Sequence, residues 1–243
     1  TSTPCTAVVE ESHNDNLFQL IPSATAVESI QYDNAFRMCF SDPNQGSASA
    51  DYIADNNLAK KVAVIYNSSD TYSSGIYQNF VTEAEKKGLE VVAAKAFTAD
   101  NKTDFSVQIQ KAKDAGAELV FLPIYYQEAS LILAQANKAG FSPKWFGCDG
   151  MDGILDLEGF DASLAENLMF LTPFTANATD DATQKFVADF KDAFGDTPIQ
   201  FAADAYDCVY VIKAAAEKED VTPDKSVSDI CDALKKGNDR DHI

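Results

Sequence analysis

The middle of the chain alternates between short apolar runs rich in β-branched residues and longer segments with helical periodicity. After the run 62–66, Ile76, Phe80 and Ala84 recur every four residues and Gly88 ends the pattern. This alternation predicts helices over 73–87, 104–115 and 127–138 and strands over 62–66, 90–97, 118–124, 144–148 and 167–174. Strands that alternate with helices are typical of a parallel sheet covered on both faces. The sequence therefore predicts an α/β fold with a doubly wound, mainly parallel sheet.

Polar or aromatic residues follow several of these strands directly. Ser23-Ala24-Thr25 comes after the apolar run 18–22, and Tyr72, Tyr125 and Asp149 come after the runs ending at 66, 124 and 147. In open parallel sheets, ligands bind just beyond the carboxyl ends of the strands. A hydroxyl-rich turn, two tyrosines and one carboxylate suit a small zwitterion better than they suit a reaction.

Composition excludes several classes of partner. The net charge of −19 and the pI of about 4.3 argue against nucleic acid and against anionic membrane surfaces. A zwitterion, whose net charge is zero, is not opposed by this acidity. No run approaches the roughly 20 apolar residues of a membrane span. The chain starts Thr1-Ser2-Thr3 without a signal and looks cut from a longer protein, so the missing signal does not indicate its location.

The reactive residue types form no motif for metal or cofactor chemistry. The five cysteines are an odd number without C-x-x-C spacing, which indicates neither a disulfide framework nor a zinc site. His13 and His242 lie near opposite ends of the chain, outside any ligand or triad motif. No glycine-rich phosphate loop and no nucleophile elbow occurs. We expect no metal, no cofactor and no enzymatic activity.

The two flanks of the central unit look like pieces of a second one. Residues 1–42 predict a helix over 5–14 and strands over 17–21 and 36–40. Residues 178–243 predict helices over 182–194, 201–218 and 225–236. We therefore expect 1–42 and 178–243 to form a partial lobe 1, with part of the C-terminal stretch alternatively in lobe 2. Residues 43–177 would form a Rossmann-like lobe 2, and links near 36–43 and 174–179 would act as a hinge.

Several motifs resemble one family along nearly the whole chain. These motifs are Ile21-Pro22-Ser23-Ala24-Thr25, Phe36-Arg37, Gln45-Gly46, the run 60–66, Thr103-Asp104-Phe105-Ser106, Gly147-Cys148-Asp149-Gly150 and the run 201–207. They resemble the branched-chain amino-acid-type substrate-binding proteins of ABC transporters, which are type I periplasmic binding proteins. The resemblance implies a two-lobed type I fold, each lobe a doubly wound sheet. Against the family pattern the chain looks truncated at both ends, which leaves lobe 1 incomplete.

The resemblance also implies roles for individual residues. Ser2 and Ser23-Ala24-Thr25 match the positions that hold a ligand carboxylate, and a helix N-terminus with hydroxyls suits an anion. Asp149 matches the acid that takes the ligand ammonium, and Tyr72 and Tyr125 match tyrosines of the cleft. The alternatives are N-capping by Ser23 or Thr25, a solvated or capping Asp149, and Asp152 or Tyr126 in place of their neighbours.

The resemblance then implies a function. We expect an extracytoplasmic solute-binding component of an ABC importer, either periplasmic or a cell-surface lipoprotein. It would bind a free amino acid, of the branched-chain type, between two lobes, and its partner would be a membrane permease. The family also includes amide and aromatic-acid binders. The alternative function is a ligand-sensing domain of a receptor or regulator with the same fold.

Overall fold

The chain divides into two compact units. The computed structural model describes residues 1–238, so His242 and the end of the predicted segment 178–243 lie outside the described residues. Unit 1 contains Thr1–Phe40 and the residues from Phe174 onwards, and unit 2 is Ser41–Pro173. The lobes and hinge links expected from the sequence stay predictions.

Helices and strands alternate through most of the chain. The strands are β1 (Gln19–Ile21), β2 (Ala35–Arg37), β3 (Lys61–Asn67), β4 (Glu90–Phe97), β5 (Leu119–Leu122), β6 (Lys144–Gly147) and β7 (Leu168–Phe170). The α-helices are α1 (Ser2–Asn14), α2 (Asp42–Asp55), α3 (Thr71–Lys87), α4 (Ser106–Asp114), α5 (Tyr126–Lys138), α6 (Asp181–Phe194), α7 (Gln200–Lys218) and α8 (Val227–Gly237).

Unit 2 is built on a five-stranded sheet of order β4-β3-β5-β6-β7. Every neighbouring pair of strands in this sheet is parallel. The strand order reverses beside β3, because β4 lies on one side of it and β5 on the other. The predicted α/β fold with parallel sheets is confirmed.

The sheet of unit 2 is covered on both faces, as its uniformly apolar strands predict. Side chains alternate along β3, so Val62 and Val64 pack into one core while Ala63 and Ile65 pack into another. Helices α2 and α3 cover the first face with residues such as Ile53 and Phe80. Helices α4 and α5 cover the second. The loops at the carboxyl ends of the strands therefore start from a sheet that is packed on both faces.

Helix α2 was not predicted from the sequence. Its start carries recognisable signals, since the Ser41 side chain accepts a hydrogen bond from the Asn44 amide at 3.3 Å and a proline follows in the first turn. Its interior is rich in small residues, including Gly46, Ser47 and Ser49, and these blur the apolar period. Those small residues allow α2 to approach α3 closely.

Unit 1 contains a two-stranded parallel sheet, β1–β2, with three residue pairs. The predicted strands 17–21 and 36–40 are both shortened. Strand β1 ends at the predicted residue, and Pro22 after it has no amide hydrogen to extend the pairing with β2 beyond Arg37. Helix α1 packs Val9 into a small core with residues of the sheet region. Helix α8 is tied to the same region by an ion pair of 2.7 Å between Lys235 and Asp33.

We predict that Gly46→Ala destabilises the protein although alanine is the better helix former. A Cβ at this position would lie 2.6 Å from the Ile76 carbonyl oxygen and 2.7 Å from the Phe80 amide nitrogen, both in the backbone of α3. Helix propensity alone would favour alanine by about 1 kcal/mol. Overpacking against a rigid backbone costs about 1–3 kcal/mol or more, so the free energy of unfolding should fall. Denaturant unfolding measures this change, with Ser47→Ala as the control in α2, and a more stable Gly46→Ala variant would contradict the prediction.

Candidate functional site

The carboxyl edge of the unit 2 sheet brings together three of the residues singled out from the sequence. Tyr72, Tyr125 and Asp149 lie in the segments that follow β3, β5 and β6. These strands are neighbours in the order β3-β5-β6, and β3 is where the strand order reverses. This is the position at which open α/β sheets bind ligands.

A buried hydrogen bond joins Tyr72 to Asp149. The Tyr72 hydroxyl donates to Oδ1 of Asp149 at 2.7 Å and accepts from the Gly150 backbone amide at 3.0 Å. Tyr72 is 2% exposed and Asp149 is 4% exposed. The hydroxyl therefore orients the carboxyl group and the backbone that follows it, and the Tyr72 ring lies in the core of unit 2.

Tyr125 stacks on the ring of Tyr72. The ring centroids are 4.8 Å apart and the planes differ by 22°. Tyr125 is half-buried and precedes the first residue of α5. Gly150 lies against both rings, and a Cβ there would be 2.8 Å from the Tyr72 hydroxyl oxygen and 3.1 Å from a Tyr125 ring carbon. The close approach of the loop to the two rings thus requires glycine.

Gln45 is part of the same cluster and was missed as a site residue. Its amide oxygen accepts a hydrogen bond from the Asp149 backbone amide at 3.0 Å, and its side chain is 1% exposed. The signal that could have found it is the start of α2 at Ser41, since recognising that helix places Gln45 in its first turns. Without α2, the sequence shows Gln45 only as part of a family motif.

Burial governs the ionisation of this cluster. It raises the pKa of the Asp149 carboxyl above its ordinary value, while the hydrogen bond from the Tyr72 hydroxyl and the neighbouring Gln45 side chain oppose the rise. Burial, followed by the nearby carboxylates of Asp70 and Asp149, also raises the pKa of Tyr125. Burial likewise raises the pKa of Tyr72. The tyrosines therefore stay neutral at physiological pH, and Asp149 is the member of the trio that can carry charge.

In unit 1, the structure brings together Ser2 and the turn formed by Ser23-Ala24-Thr25. Ser2 begins α1, and its hydroxyl accepts a hydrogen bond from the Ala26 backbone amide at 3.1 Å. The turn follows β1 directly, as the sequence predicts. Ser2, Ala24 and Thr25 are buried, and Ser23 is half-buried.

Arg37 supports this turn and was also missed. Its guanidinium donates to the carbonyl oxygens of Thr25 and Ala26 at 2.8 and 3.1 Å. The Thr25 hydroxyl is buried and has no hydrogen-bond partner within residues 1–238. An unpaired buried hydroxyl costs about 1–3 kcal/mol, so its presence calls for an explanation.

The capping alternative for this turn is wrong. The segment after it, Val27–Ile30, is a four-residue 3₁₀ helix with Ala26 at its N-cap position and no side-chain cap. The helix N-terminus of the predicted anion site is therefore not supplied by this short segment, whereas Ser2 lies at the start of the longer helix α1. Hydroxyls and backbone remain as the groups that this turn can offer to an anion.

The remaining candidates have structural surroundings. Asp152 is half-buried and donates its backbone amide to the Asp149 carbonyl at 3.0 Å. Tyr126 packs against the core on the α4–α5 face. His13 stacks on Tyr32 with centroids 4.4 Å apart. Within residues 1–238, the five cysteines form no disulfide bond, and no cluster of three or more metal-ligating side chains occurs.

Comparison with known proteins places this chain in a family. The sequence profile of the periplasmic binding protein family matches residues 1–238. The chain belongs to the periplasmic binding protein family. The family resemblance seen in the sequence is confirmed, and a family of binding proteins agrees with the prediction that the chain is not an enzyme.

Several known proteins are similar to this chain over most of its length. Leu/Ile/Val-binding protein homolog 3 of Brucella melitensis is 30% identical over 240 residues, which are 96% of this chain and 61% of the relative. The solved leucine binding protein LivK of Thermotoga maritima is 26% identical with a TM-score of 0.84, covering 95% of this chain and 65% of that one. The branched-chain amino acid substrate binding protein LivJ of Streptococcus pneumoniae, solved with isoleucine, is 28% identical with a TM-score of 0.83, covering 94% and 64%.

The chain thus spans 61–65% of the length of these relatives. Among residues 1–238, no helix combines the length and apolar character needed to cross a membrane.

We predict that Asp149 makes the stability of the protein depend on pH. A folded-state pKa raised above 3.8 means that the folded state binds the proton more tightly than the unfolded state. The stabilisation is fully present below the unfolded pKa of about 4 and is lost as pH rises through the folded pKa. Relative to Asp149→Asn, the wild type should therefore lose free energy of unfolding as pH rises from about 4 towards neutrality.

Denaturant unfolding of both proteins across this pH range measures the difference. Asp161→Asn provides a control of opposite sign, because hydrogen bonds from Ser163 lower the pKa of the Asp161 carboxyl. If the stability of the wild type relative to Asp149→Asn stays constant, or rises with pH, the assignment is contradicted.

Proposed function

We propose that this chain carries the ligand-binding residues of an extracytoplasmic solute-binding component of an ABC importer, and that its ligand is a free amino acid of the branched-chain type. The observation that carries the proposal is the buried Asp149 carboxyl, held by Tyr72 beside Tyr125, in a chain of the periplasmic binding protein family. The names of its relatives, which include leucine- and Leu/Ile/Val-binding proteins, support the ligand class.

Asp149 would take the ligand ammonium. An ionised carboxylate gives a charge-assisted hydrogen bond, which is stronger than a neutral one and is little screened where water is excluded. Tyr72 already occupies one position around the carboxylate and fixes its orientation. Because burial disfavours the isolated charge, a cationic partner would gain from the same environment.

The turn Ser23-Ala24-Thr25, together with Ser2, would take the ligand carboxylate. The unpaired Thr25 hydroxyl is a donor that lacks an acceptor, which a carboxylate oxygen would supply. The Arg37 guanidinium donates to the carbonyls of the turn. Its positive charge would attract an anion bound at the turn.

Tyr125 would contact the body of the ligand. It is half-buried, whereas Tyr72 is buried and already engaged with Asp149. An aromatic face suits the apolar side chain of a branched amino acid. Tyr72 would then act on the ligand mainly through Asp149.

The proposal also includes delivery of the bound ligand to a membrane permease, without any covalent step. A bound ligand would favour a closed arrangement only by the difference in its affinity for the closed and open states. A membrane permease would be the partner of the closed form, and the location would be the periplasm or the cell surface. These parts rest on family membership.

We predict that leucine, isoleucine or valine raises the melting temperature of the protein expressed from its complete natural gene. At a ligand concentration of 100 times Kd, the stabilisation should be about 2.7 kcal/mol. N-acetyl-leucine lacks the ammonium, isoamylamine lacks the carboxylate, and benzoate lacks both the ammonium and the alkyl chain. None of these three should shift the melting temperature as strongly. The absence of any shift with a full panel of amino acids would refute the zwitterion assignment.

The same assay with variants tests the role of Asp149. Asp149→Asn should weaken binding strongly, with affinity in the wild type rising with pH as the carboxyl ionises. Asp152→Asn, a matched change three residues away, should bind nearly as well as the wild type. Equal losses in the two variants would show that the ammonium position has been assigned to the wrong residue.

We predict that Thr25→Val weakens amino-acid binding about tenfold without lowering stability, because it removes a donor that has no partner in the free protein. Ser29→Ala is the matched control, since the Ser29 hydroxyl is also buried and unpaired among the described residues. It should leave affinity unchanged. Isothermal titration and thermal unfolding of both variants measure the two effects, and wild-type affinity in Thr25→Val would remove this residue from the carboxylate site.

A further inference from the structure

We propose that Gln45 is a positioning residue for Asp149, holding the backbone of the carboxylate in place from helix α2 while Tyr72 holds its side chain from helix α3. The consequence for ligand binding rests on the proposed function, whereas the anchoring itself rests on geometry. Gln45 and Asp149 are 104 residues apart in sequence, and the bond between them is buried.

The backbone of Gln45 is fixed at both ends. Its amide donates to the Ser41 carbonyl oxygen at 3.0 Å, and its carbonyl oxygen accepts from the Ser49 hydroxyl at 2.7 Å. The side chain therefore starts from a position set by the first turns of α2. Its amide oxygen reaches the Asp149 amide at 3.0 Å from that fixed origin.

The distance between α2 and α3 is set by the residue that follows Gln45. At Gly46, α2 approaches α3 so closely that a Cβ would collide with the α3 backbone at Ile76 and Phe80. Helix α3 also carries Tyr72, whose hydroxyl bonds the Asp149 carboxyl. Helices α2 and α3 are therefore in direct contact, and both form hydrogen bonds with Asp149. Helix α2 bonds its backbone amide and helix α3 bonds its side chain.

A neutral amide suits this role better than a charged group would. Gln45 supplies an acceptor to the Asp149 amide without adding a second negative charge beside the carboxyl. Its side chain also opposes the rise in the pKa of Asp149 that burial causes. A glutamate at position 45 would keep the acceptor but would disfavour ionisation of Asp149 through like-charge repulsion.

The test uses Gln45→Met, which keeps the length of the side chain and removes the amide oxygen that accepts from the Asp149 amide. Gln135→Met is the matched control, because the Gln135 amide oxygen accepts from the Phe105 backbone amide at 2.8 Å and its amide nitrogen donates to the Thr103 carbonyl oxygen at 2.9 Å, on the other face of the sheet. Hydrogen exchange of backbone amides by NMR reads the anchoring directly and needs no ligand.

In Gln45→Met, we expect exchange at the Asp149 amide to accelerate about tenfold or more, while Gln135→Met accelerates exchange at Phe105 and leaves Asp149 unchanged. The pKa of the Asp149 carboxyl, followed by ¹³C NMR and assigned with Asp149→Asn, should rise in Gln45→Met and stay constant in Gln135→Met. Leucine affinity at neutral pH should fall about tenfold in Gln45→Met and remain near the wild-type value in the control.

Gln45→Glu separates anchoring from charge. It should keep slow exchange at the Asp149 amide, because an acceptor oxygen remains, yet shift the pH dependence of leucine binding to higher pH. If Gln45→Met does not fold, Gln45→Glu carries the test by itself. Fast exchange at Asp149 in Gln45→Glu would overturn the proposal.

Two results with Gln45→Met would also overturn it. The first is unchanged exchange and unchanged pKa at Asp149, and the second is wild-type leucine affinity despite faster exchange. If the wild type binds no amino acid, the proposed function fails separately. The positioning role is then decided by amide exchange and by the pKa of Asp149.

Discussion

The hydrogen bond between the Tyr72 hydroxyl and the Asp149 carboxyl is the interaction on which the unit 2 site depends. It joins the segment after β3 to the segment after β6, across the end of β5 that lies between them in the sheet. The same hydroxyl accepts the Gly150 amide, so one group orients both the carboxyl and the loop behind it. Burial makes this arrangement selective for a cationic partner, because a carboxyl removed from water is costly to ionise unless donors and a cation surround it.

The packing of unit 2 can be understood as support for that bond. Glycine at position 46 lets α2 and α3 meet, and glycine at position 150 lets the loop reach the stacked rings of Tyr72 and Tyr125. Both glycines lie where neighbouring backbone leaves no room for a Cβ. In unit 1, Ser2 and Arg37 support the turn at Thr25 in a comparable way, by bonding its backbone and leaving its hydroxyl without an acceptor.

Much of the fold could be predicted because its signals are local. Strand β4 was predicted with its observed bounds, and helices α3, α5 and α7 within about two residues at either end, since apolar period and glycine stops are readable along the chain. The trio of Tyr72, Tyr125 and Asp149 was also predicted, because parallel strands bring their carboxyl ends to one edge. Helix α2 was missed, since its small residues weaken the period, and Gln45 was missed as a site residue with it. Arg37 was missed because its partners are backbone carbonyls, which leave no sequence pattern.

The sequence by itself determined most of the strands and helices, with α2 as the exception, and which polar residues stand at strand ends. It could do so because these properties repeat over a few residues and depend on nearest neighbours. Only the tertiary structure decided that Tyr72 bonds Asp149, that Gln45 holds the Asp149 backbone, and that Thr25 is buried beside Arg37. These contacts join residues up to 104 positions apart. They depend on strand order and on how closely two helices approach, which only packing of the whole unit can set.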